Sequence, residues 1–241
     1  MPEVTRTSGQ TPTSVNGPVI TAQEVSRVFG SGATAVAALS AISLTVEQGE
    51  FLAVTGRSGS GKTTLLNLLS GLDRPSAGAV FFRGDDMAGM READLVNMRR
   101  HKIGFVFQSF GLMPLLSAQE NVELPLHIGG VAWRERRQRA SEALKAVGLG
   151  SRARHRPFEL SGGEQQRVSI ARALVTGPEV VFADEPTGEL DTATARSIAE
   201  TLGEVASARR ATVIVATHDL ELAATAMRRL DLVDGKIVST S

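Results

Sequence analysis

The eight residues from Gly56 to Thr63, GRSGSGKT, carry the clearest chemistry in the chain. Their glycines, lysine and threonine stand at the spacing of a loop that folds around phosphate groups, between an apolar run and a helical pattern. The glycines let the loop turn its N–H groups inward, Lys62 reaches the β- and γ-phosphates, and the Thr63 hydroxyl ligates Mg²⁺. We therefore predict a nucleoside-triphosphate site whose loop residues are Gly56, Arg57, Ser58, Gly59, Ser60, Gly61, Lys62, Thr63 and Thr64.

Acidic residues follow a second apolar run, VVFADE at 180–185. A phosphate-binding loop needs an Asp at the tip of a neighbouring strand to hold Mg²⁺, and Asp184 suits that role. Glu185 is placed to orient and deprotonate an attacking water. His218, within VIVATHD, ends another buried strand on the same side of the sheet. It is either a structural hydrogen-bonding group or a contact to the γ-phosphate or water, and we favour the contact.

The segment LSGGEQQRVSIARALV at 160–175 offers a second anion-binding device. Ser161 is a good N-cap residue, and Glu164 completes a capping box before apolar residues at helical spacing. Gly162 and Gly163 are costly in a first helical turn, but they leave N–H groups bare at the positive end of the helix dipole. A well-capped helix and an anion site both fit these residues.

Composition excludes several classes of protein. The 241 residues contain 26 Lys plus Arg and 26 Asp plus Glu, so the formal net charge is zero and no global basic field favours nucleic acid as a partner. The chain has no Cys, which excludes disulfides and thiolate metal sites and fits a reducing compartment. The N-terminal segment lacks the apolar core of a signal peptide, and no apolar run approaches the ~18 residues of a membrane span. We expect a soluble, cytoplasmic protein.

The sequence begins with a polar segment, which is followed by alternating strand-like and helix-like patterns. We predict a disordered tail over 1–17 and one α/β domain over 18–241, with a mostly parallel core sheet, an N-terminal antiparallel β subdomain and a helical insertion at about 108–175. Strands are expected at about 18–29, 37–46, 51–55, 79–82, 103–107, 180–183 and 212–217, helices at about 62–70, 132–147, 191–208 and 218–228, and a hairpin at 230–238.

Two segments of the sequence each allow two interpretations. The run RERRQR at 134–139 is typical of a solvated helix face, with a binding patch as the less favoured alternative. An apolar cluster precedes it in the insertion, and it either fills the core of that subdomain or lies at a groove that receives a partner. Its members are Leu112, Met113, Leu115 and Leu116.

Taken in order, the motifs resemble those of the nucleotide-binding ATPase subunits of ABC transporters. The resemblance covers about residues 20–238 and includes the loop 56–63, Gln108 after IGFVF, LSGGEQ, VVFADE, GELD at 188–191, and His218. It implies a P-loop NTPase fold, with ATP and Mg²⁺ as cofactors. It also implies a homodimer that pairs head to tail around two MgATP molecules.

The resemblance assigns roles to further residues. Ser161, Gly162, Gly163 and Glu164 would close over the γ-phosphate held by the other subunit. Gln108 would link the Mg²⁺ and water region to the helical subdomain, and Asp191 would couple the two sites. Phe29 stands where the family stacks an aromatic ring on adenine, although an apolar core position is the alternative. The implied metal residues are Thr63, Gln108 and Asp184, and the implied catalytic residues are Glu185, His218 and Lys62.

Longer stretches, such as LLSAQENVELPL and DEPTGELD, are similar to ATPases that serve FtsX-like permeases in lipoprotein release, macrolide efflux and cell division. That group usually has Asn at the position of Glu189 and commonly Pro at that of Arg57. The implied partner is an integral-membrane permease on another chain, and the implied location is the cytoplasmic face of the membrane. The alternative is an ABC-type ATPase that acts on DNA or the ribosome, although the coiled-coil insertion, zinc-binding Cys or second cassette of such proteins is missing.

We predict that Lys62→Ala abolishes tight ATP binding, because it removes the only fixed cation expected between the β- and γ-phosphates. A nucleotide titration measures the affinity directly. Unchanged affinity in this variant would show that the loop 56–63 does not hold the phosphates.

Overall fold

The computed structural model describes residues 17–209 and 211–241. The predicted disordered tail at 1–17 lies outside the described residues except for Gly17.

Two sheets form the framework. The smaller sheet is antiparallel, with the order β2-β1-β4-β5, and its strands are β1 (Pro18–Phe29), β2 (Val36–Glu47), β4 (Ala77–Phe82) and β5 (Asp85–Asp86). The larger sheet has the order β10-β9-β3-β8-β7-β6, and its strands are β3 (Phe51–Thr55), β6 (Ile103–Val106), β7 (Val180–Asp184), β8 (Thr212–Thr217), β9 (Arg228–Val233) and β10 (Lys236–Thr240). All its neighbours pair in parallel except β9 and β10. The predicted α/β fold is confirmed.

Helices cover the larger sheet and form a cluster beside it. They are α1 (Lys62–Leu69), α2 (Glu92–Lys102), α3 (Ala118–Ile128), α4 (Trp133–Ala146), α5 (Gly162–Leu174), α6 (Thr192–Arg209) and α7 (Leu220–Ala224). Helices α3, α4 and α5 pack on one another through buried side chains that include Val122, Leu144 and Val168. Within the described ranges, none of the helices combines the length and apolarity that crossing a bilayer requires.

The central strands are apolar on both sides because both faces of the sheet are buried. Phe51 and Ala53 of β3 belong to the core under α5 and α6, whereas Leu52 and Val54 belong to the core that α1 shares with the antiparallel sheet. Continuous apolar runs of this kind are typical of parallel sheets covered on both faces.

Helices α2 and α7 differ from the sequence-based prediction. Helix α2 was not predicted, because only Leu95 and Met98 are buried in a segment that is otherwise charged. Helix α7 ends at Ala224 rather than near 228, since the Met227 N–H donates to the Phe51 carbonyl and the chain then enters β9. The predicted hairpin is present, with Asp234 and Gly235 both at positive φ in its turn.

We expect Phe182→Ala to destabilise the fold by about 3–5 kcal/mol, because the ring is 1% exposed in the middle of β7 and its removal leaves a cavity. Denaturant-induced unfolding measures the change. Phe158→Ala is the matched control: that ring is 74% exposed, and its loss should shift stability by less than about 0.5 kcal/mol. Equal effects of the two substitutions would contradict the packing described here.

Candidate functional site

The candidate site lies where the parallel strands end at one edge of the larger sheet. Thr55 of β3 pairs with Thr217 of β8, and Asp184 of β7 pairs with Ala216. The segments that follow these strands therefore meet, as expected at the carboxyl edge of an α/β sheet. They form a cleft of about 610 Å³, which we call the nucleotide cleft, lined by Ala38, Arg57, Ser58, Gly59, Gly61, Lys62, Thr63, Thr64, Gln108, Glu185 and His218.

The loop before α1 depends on glycine at its last position. Gly61 has φ of +104°, and a Cβ atom there would stand 2.6 Å from the Ala38 carbonyl oxygen. The buried hydroxyl of Ser60 has no hydrogen-bond partner among the described residues, and neighbouring Gly56 leaves no room for a Cβ beside it. This tightly wound loop with an unsatisfied donor fits a phosphate ligand.

Lys62 is the buried cation of the cleft, with 6% of its side chain exposed. Its ammonium group donates to the carbonyl oxygens of Gly56 at 2.8 Å and Arg57 at 3.2 Å. It also lies 3.2 Å from Glu185 Oε1. The lysine is therefore held across the loop, toward the acidic end of β7.

Glu185 is fixed from several directions. Its backbone has φ of +46°, in the left-handed region that residues other than glycine rarely adopt, and its N–H donates to the Ala216 carbonyl at 2.8 Å. Its Oε2 accepts the His218 N–H at 3.2 Å and lies 2.8 Å from His218 Nδ1. The structure thus brings the predicted catalytic residues Lys62, Glu185 and His218 together around one carboxylate.

Asp184 and Thr63 present adjacent oxygen atoms in the same region. Asp184 Oδ1 accepts the Thr63 hydroxyl at 3.1 Å. Burial raises the pKa of the Asp184 carboxyl above its ordinary value, the charge of Glu185 acts in the same direction, and the Thr63 hydrogen bond opposes them. Carboxylate and hydroxyl oxygens are ligands that Mg²⁺ prefers, and Gln108 adds an amide in the nucleotide cleft. The residues present fit the predicted metal.

The segment from Ser161 to Glu164 begins α5 as predicted, with a capping box. The Ser161 hydroxyl accepts the Glu164 N–H at 3.3 Å, and Glu164 Oε2 accepts the Ser161 N–H at 2.9 Å. That backbone hydrogen bond is the main cause of the lowered pKa of Glu164. None of Ser161, Gly162, Gly163 and Glu164 lines the nucleotide cleft, so the structure does not bring them to the loop 56–63 of the same chain.

Gly163 has a packing role that the sequence did not reveal. A Cβ atom at this position would stand 2.3 Å from Thr194 Cγ2, so the starts of α5 and α6 approach each other closely because residue 163 is glycine. Asp191 caps α6, where its carboxylate accepts the Thr194 N–H at 3.1 Å and the Thr194 hydroxyl at 2.6 Å. Those hydrogen bonds lower the pKa of Asp191.

Phe29 lies at the end of β1 and is 44% exposed, which rules out the alternative that it is a core residue. The Arg27 guanidinium lies over its ring at 4.6 Å and is itself bound by Asp73 at 2.8 Å. Phe29 does not line the nucleotide cleft. Its assignment to adenine stacking stays a prediction.

Sequence reasoning missed two residues that fix the chain just after Glu185 and just after Gln108. Gln166 is fully buried, and its amide donates to the Pro186 carbonyl at 2.7 Å, directly after Glu185. Arg172 donates to the Phe110 carbonyl at 2.9 Å and also to that of Gly111, and burial lowers its pKa. A signal existed for Gln166, because it shares helical spacing with the buried Gly163 and Ile170 and is a polar residue on an apolar face.

Comparison with known proteins shows the family of the chain. The profile of the ABC transporter family matches residues 39–188. The lipoprotein-releasing system ATP-binding protein LolD of Geobacter metallireducens is 47% identical over 216 residues, which are 90% of this chain and 96% of that protein. The macrolide export ATP-binding/permease protein MacB of Hyphomonas neptunium is 47% identical over 224 residues, which are 93% of this chain and 35% of that protein. The chain thus spans about a third of the length of the macrolide-export relatives.

Solved structures agree with the sequence matches. The ATP-binding cassette MJ0796, in a dimeric post-hydrolysis state bound to ADP and Pi, superposes with a TM-score of 0.85 at 41% identity, over 92% of this chain and 97% of that one. The protein cbiO1 from Clostridium perfringens, part of the transporter complex cbiONQ, gives a TM-score of 0.84 at 27% identity, over 93% of this chain and 88% of that one. Together with the family match, these similarities show that the chain belongs to the ABC transporter family, as one of its ATP-binding, ATP-hydrolysing cassettes.

Proposed function

We propose that this ATPase forms a homodimer around two MgATP molecules and drives a separate FtsX-like permease from the cytoplasmic face of the membrane, in export, lipoprotein release or mechanotransmission. The observation that carries the catalytic part is the contact of Glu185 with both Lys62, at 3.2 Å, and His218, at 2.8 Å. The relatives named as lipoprotein-releasing and macrolide-export proteins support the choice of process.

The ion pair of Lys62 and Glu185 suggests how the γ-phosphate starts hydrolysis. A phosphate in the nucleotide cleft competes for the Lys62 ammonium, and Glu185 Oε1 is then released to accept a proton from the attacking water. His218 continues to hold Glu185 through Oε2. Thr63, Asp184 and Gln108 would hold Mg²⁺, which when bound neutralises charge on the phosphate oxygens.

The capped start of α5 completes the site from the second subunit. Ser161 is exposed and Gly162 half-buried, so the first N–H groups of α5 are accessible at the positive end of its dipole. Since these residues do not line the nucleotide cleft of their own chain, we assign them to the γ-phosphate held by the partner, with Asp191 linking the two sites. The dimeric state reported for the similar cassette MJ0796 supports this arrangement.

An apolar groove of about 450 Å³ is the proposed docking site for the permease, and we call it the docking groove. Its lining includes Leu72, Val96, Phe107 and Ile128, each at least one-third exposed, and the arginines Arg99, Arg100 and Arg172. The predicted apolar cluster lies on the loop before α3. There Leu112 packs against the core, whereas Met113 is 48% and Leu115 79% exposed. The exposure of these two side chains argues against the core interpretation, although neither of them lines the docking groove and Leu116 lines a different cleft.

Glu185→Gln should reduce ATP turnover by roughly 10²–10⁴-fold while ATP binding survives, because Gln keeps the size and a hydrogen bond but cannot take a proton. The variant should accumulate as an ATP-dependent dimer, which light scattering measures, while the wild type dimerises only briefly. A Glu185→Gln protein that stays monomeric in saturating MgATP would contradict the shared site.

Adding Ser161→Arg to the Glu185→Gln chain should abolish that dimer, because the long side chain blocks the N-terminus of α5. Ser117→Arg is the matched control, since Ser117 caps α3 with the same kind of box, closed by Glu120. Both substitutions remove one helix cap, at a cost of about 1 kcal/mol, so a difference in dimerisation isolates the role of Ser161 from stability. Loss of the dimer in both variants would count against that role.

Ile128→Glu should prevent the permease from co-purifying with the ATPase while ATP binding by the isolated chain is unchanged, because it places a charge in the apolar docking groove. Val238→Glu is the control, since Val238 is 61% exposed on β10 and does not line the docking groove. Normal co-purification of the Ile128→Glu chain would refute the docking site.

Leu115→Glu, at the exposed leucine of the loop before α3, should uncouple ATPase activity from the permease.

A further inference from the structure

A second cleft, polar and of about 620 Å³, lies along α3 beside the docking groove, with which it shares Leu124. We call it the arginine cleft and define it by Trp133, Arg136, Arg137, Arg154 and Arg156, which line it together with residues of α3. The catalytic mechanism uses none of these residues.

The arginine cleft carries a local excess of positive charge. Arg136 is engaged within the protein, with Nε 3.5 Å from Glu123 and Nη1 2.9 Å from His127 Nδ1. Arg137, Arg154 and Arg156 are exposed, and across the described residues no carboxylate lies within ion-pair distance of them. Among the described residues these three cationic groups therefore form no ion pair, although the chain as a whole has no net charge.

The acidic residues on this side neutralise those arginines only in part. Glu123 forms an ion pair with Arg136. Glu120 accepts both the N–H and the hydroxyl of Ser117 at 2.7 Å as the cap of α3, and those hydrogen bonds are the main cause of its lowered pKa. The charge of Arg156 contributes to that lowered pKa, so Glu120 balances part of it. The three arginines still leave an excess of positive charge for an external anion.

Trp133 adds an amphipathic side chain at the mouth of the same cleft. Its indole is 55% exposed at the start of α4, and the Arg137 guanidinium lies 5.5 Å from its ring. A tryptophan exposed beside arginines is typical of the headgroup level of a membrane, where the ring enters the interface and the cations meet phosphates.

The arginine cleft is continuous with the proposed permease contact. Leu124 of α3 lines both the docking groove and the arginine cleft, and Ile128, one turn further along α3, is 55% exposed in the docking groove. A permease seated in the docking groove would bring this side of α3 close to the bilayer.

We infer that the arginine cleft binds anionic phospholipid headgroups of the cytoplasmic leaflet, through Arg137, Arg154 and Arg156 with Trp133 at the interface. The inference rests on the proposed permease docking for its membrane proximity. It also revises the interpretation of RERRQR at 134–139, because Arg137 belongs to a binding patch and only the remainder of the run, which includes the ion pair of Glu135 and Arg139, needs no ligand.

The test uses the full chain without a permease. Trp133 is the only tryptophan, so intrinsic fluorescence reports this cleft alone. Titration with vesicles of phosphatidylcholine plus phosphatidylglycerol should shift the emission to the blue and carry the protein into the vesicle pellet, whereas pure phosphatidylcholine vesicles should do neither. Raising the salt concentration should weaken the binding.

Neutralising two arginines should weaken vesicle binding in steps. Each of Arg154→Gln and Arg156→Gln is expected to lower the affinity roughly fivefold, and the double variant about 25-fold. Arg196→Gln, at an exposed arginine on α6 outside the cleft, is the matched control and should bind like the wild type. Unchanged emission of each variant before vesicle addition verifies that the fold is intact.

Three results would overturn the inference. They are equal binding to neutral and anionic vesicles, wild-type affinity in the double variant, and saturation of the fluorescence change by soluble glycerol phosphate, which would indicate a site for a free phosphate compound. If the wild-type chain fails to bind anionic vesicles but Ile128→Glu loses the permease as expected, only the lipid contact is refuted. If Ile128→Glu still binds the permease and the wild-type chain binds anionic vesicles, only the docking groove is refuted.

Discussion

The parallel pairing of β3, β7 and β8 is the constraint on which the nucleotide cleft depends. Because side chains alternate along a strand, a slip of one residue in the register of Asp184 against Ala216 would turn every side chain of β7 to the opposite face. The apolar side chains of β7 are buried on both faces, so such a slip would also disturb the packing of both cores. The packing that stabilises the sheet is therefore also what sets the geometry of the carboxyl edge.

The buried pair of Lys62 and Glu185 is the electrostatic counterpart of that constraint. With side chains only 6% and 14% exposed, neither charge has access to much water. A buried ion that loses its partner is strongly destabilising, so each group requires the other until a ligand replaces it. The pair therefore keeps the lysine extended across the loop and the carboxylate oriented toward His218, and little rearrangement is needed when phosphate arrives.

Local patterns in the sequence predict much of the fold and the candidate site, and the misses have identifiable causes. The central strands were predictable because both their faces are buried, which gives continuous apolar runs. The loop 56–63 was predictable because glycines, lysine and threonine at this spacing are typical of a phosphate-binding loop. Helix α2 escaped prediction because it buries only two apolar side chains in a charged segment. The close approach of Gly163 to Thr194 joins distant parts of the chain, and a local sequence pattern does not predict such a contact. The exposure of Phe29 and Leu115 likewise depends on tertiary packing, so the sequence left two interpretations of each open.

The left-handed backbone of Glu185 has a consequence for how this chain tolerates change. A side chain at φ of +46° costs the fold on the order of 1 kcal/mol relative to glycine, which adopts this conformation without steric conflict. The ion pair with the buried Lys62 ammonium opposes that cost, because glycine at position 185 would relieve the backbone and leave the lysine without its partner. Position 185 is therefore a point where backbone strain and charge pairing oppose each other. Chains that have drifted into purely structural roles should lose Lys62 and the acidic side chain together, since losing one alone costs more than the strain it relieves.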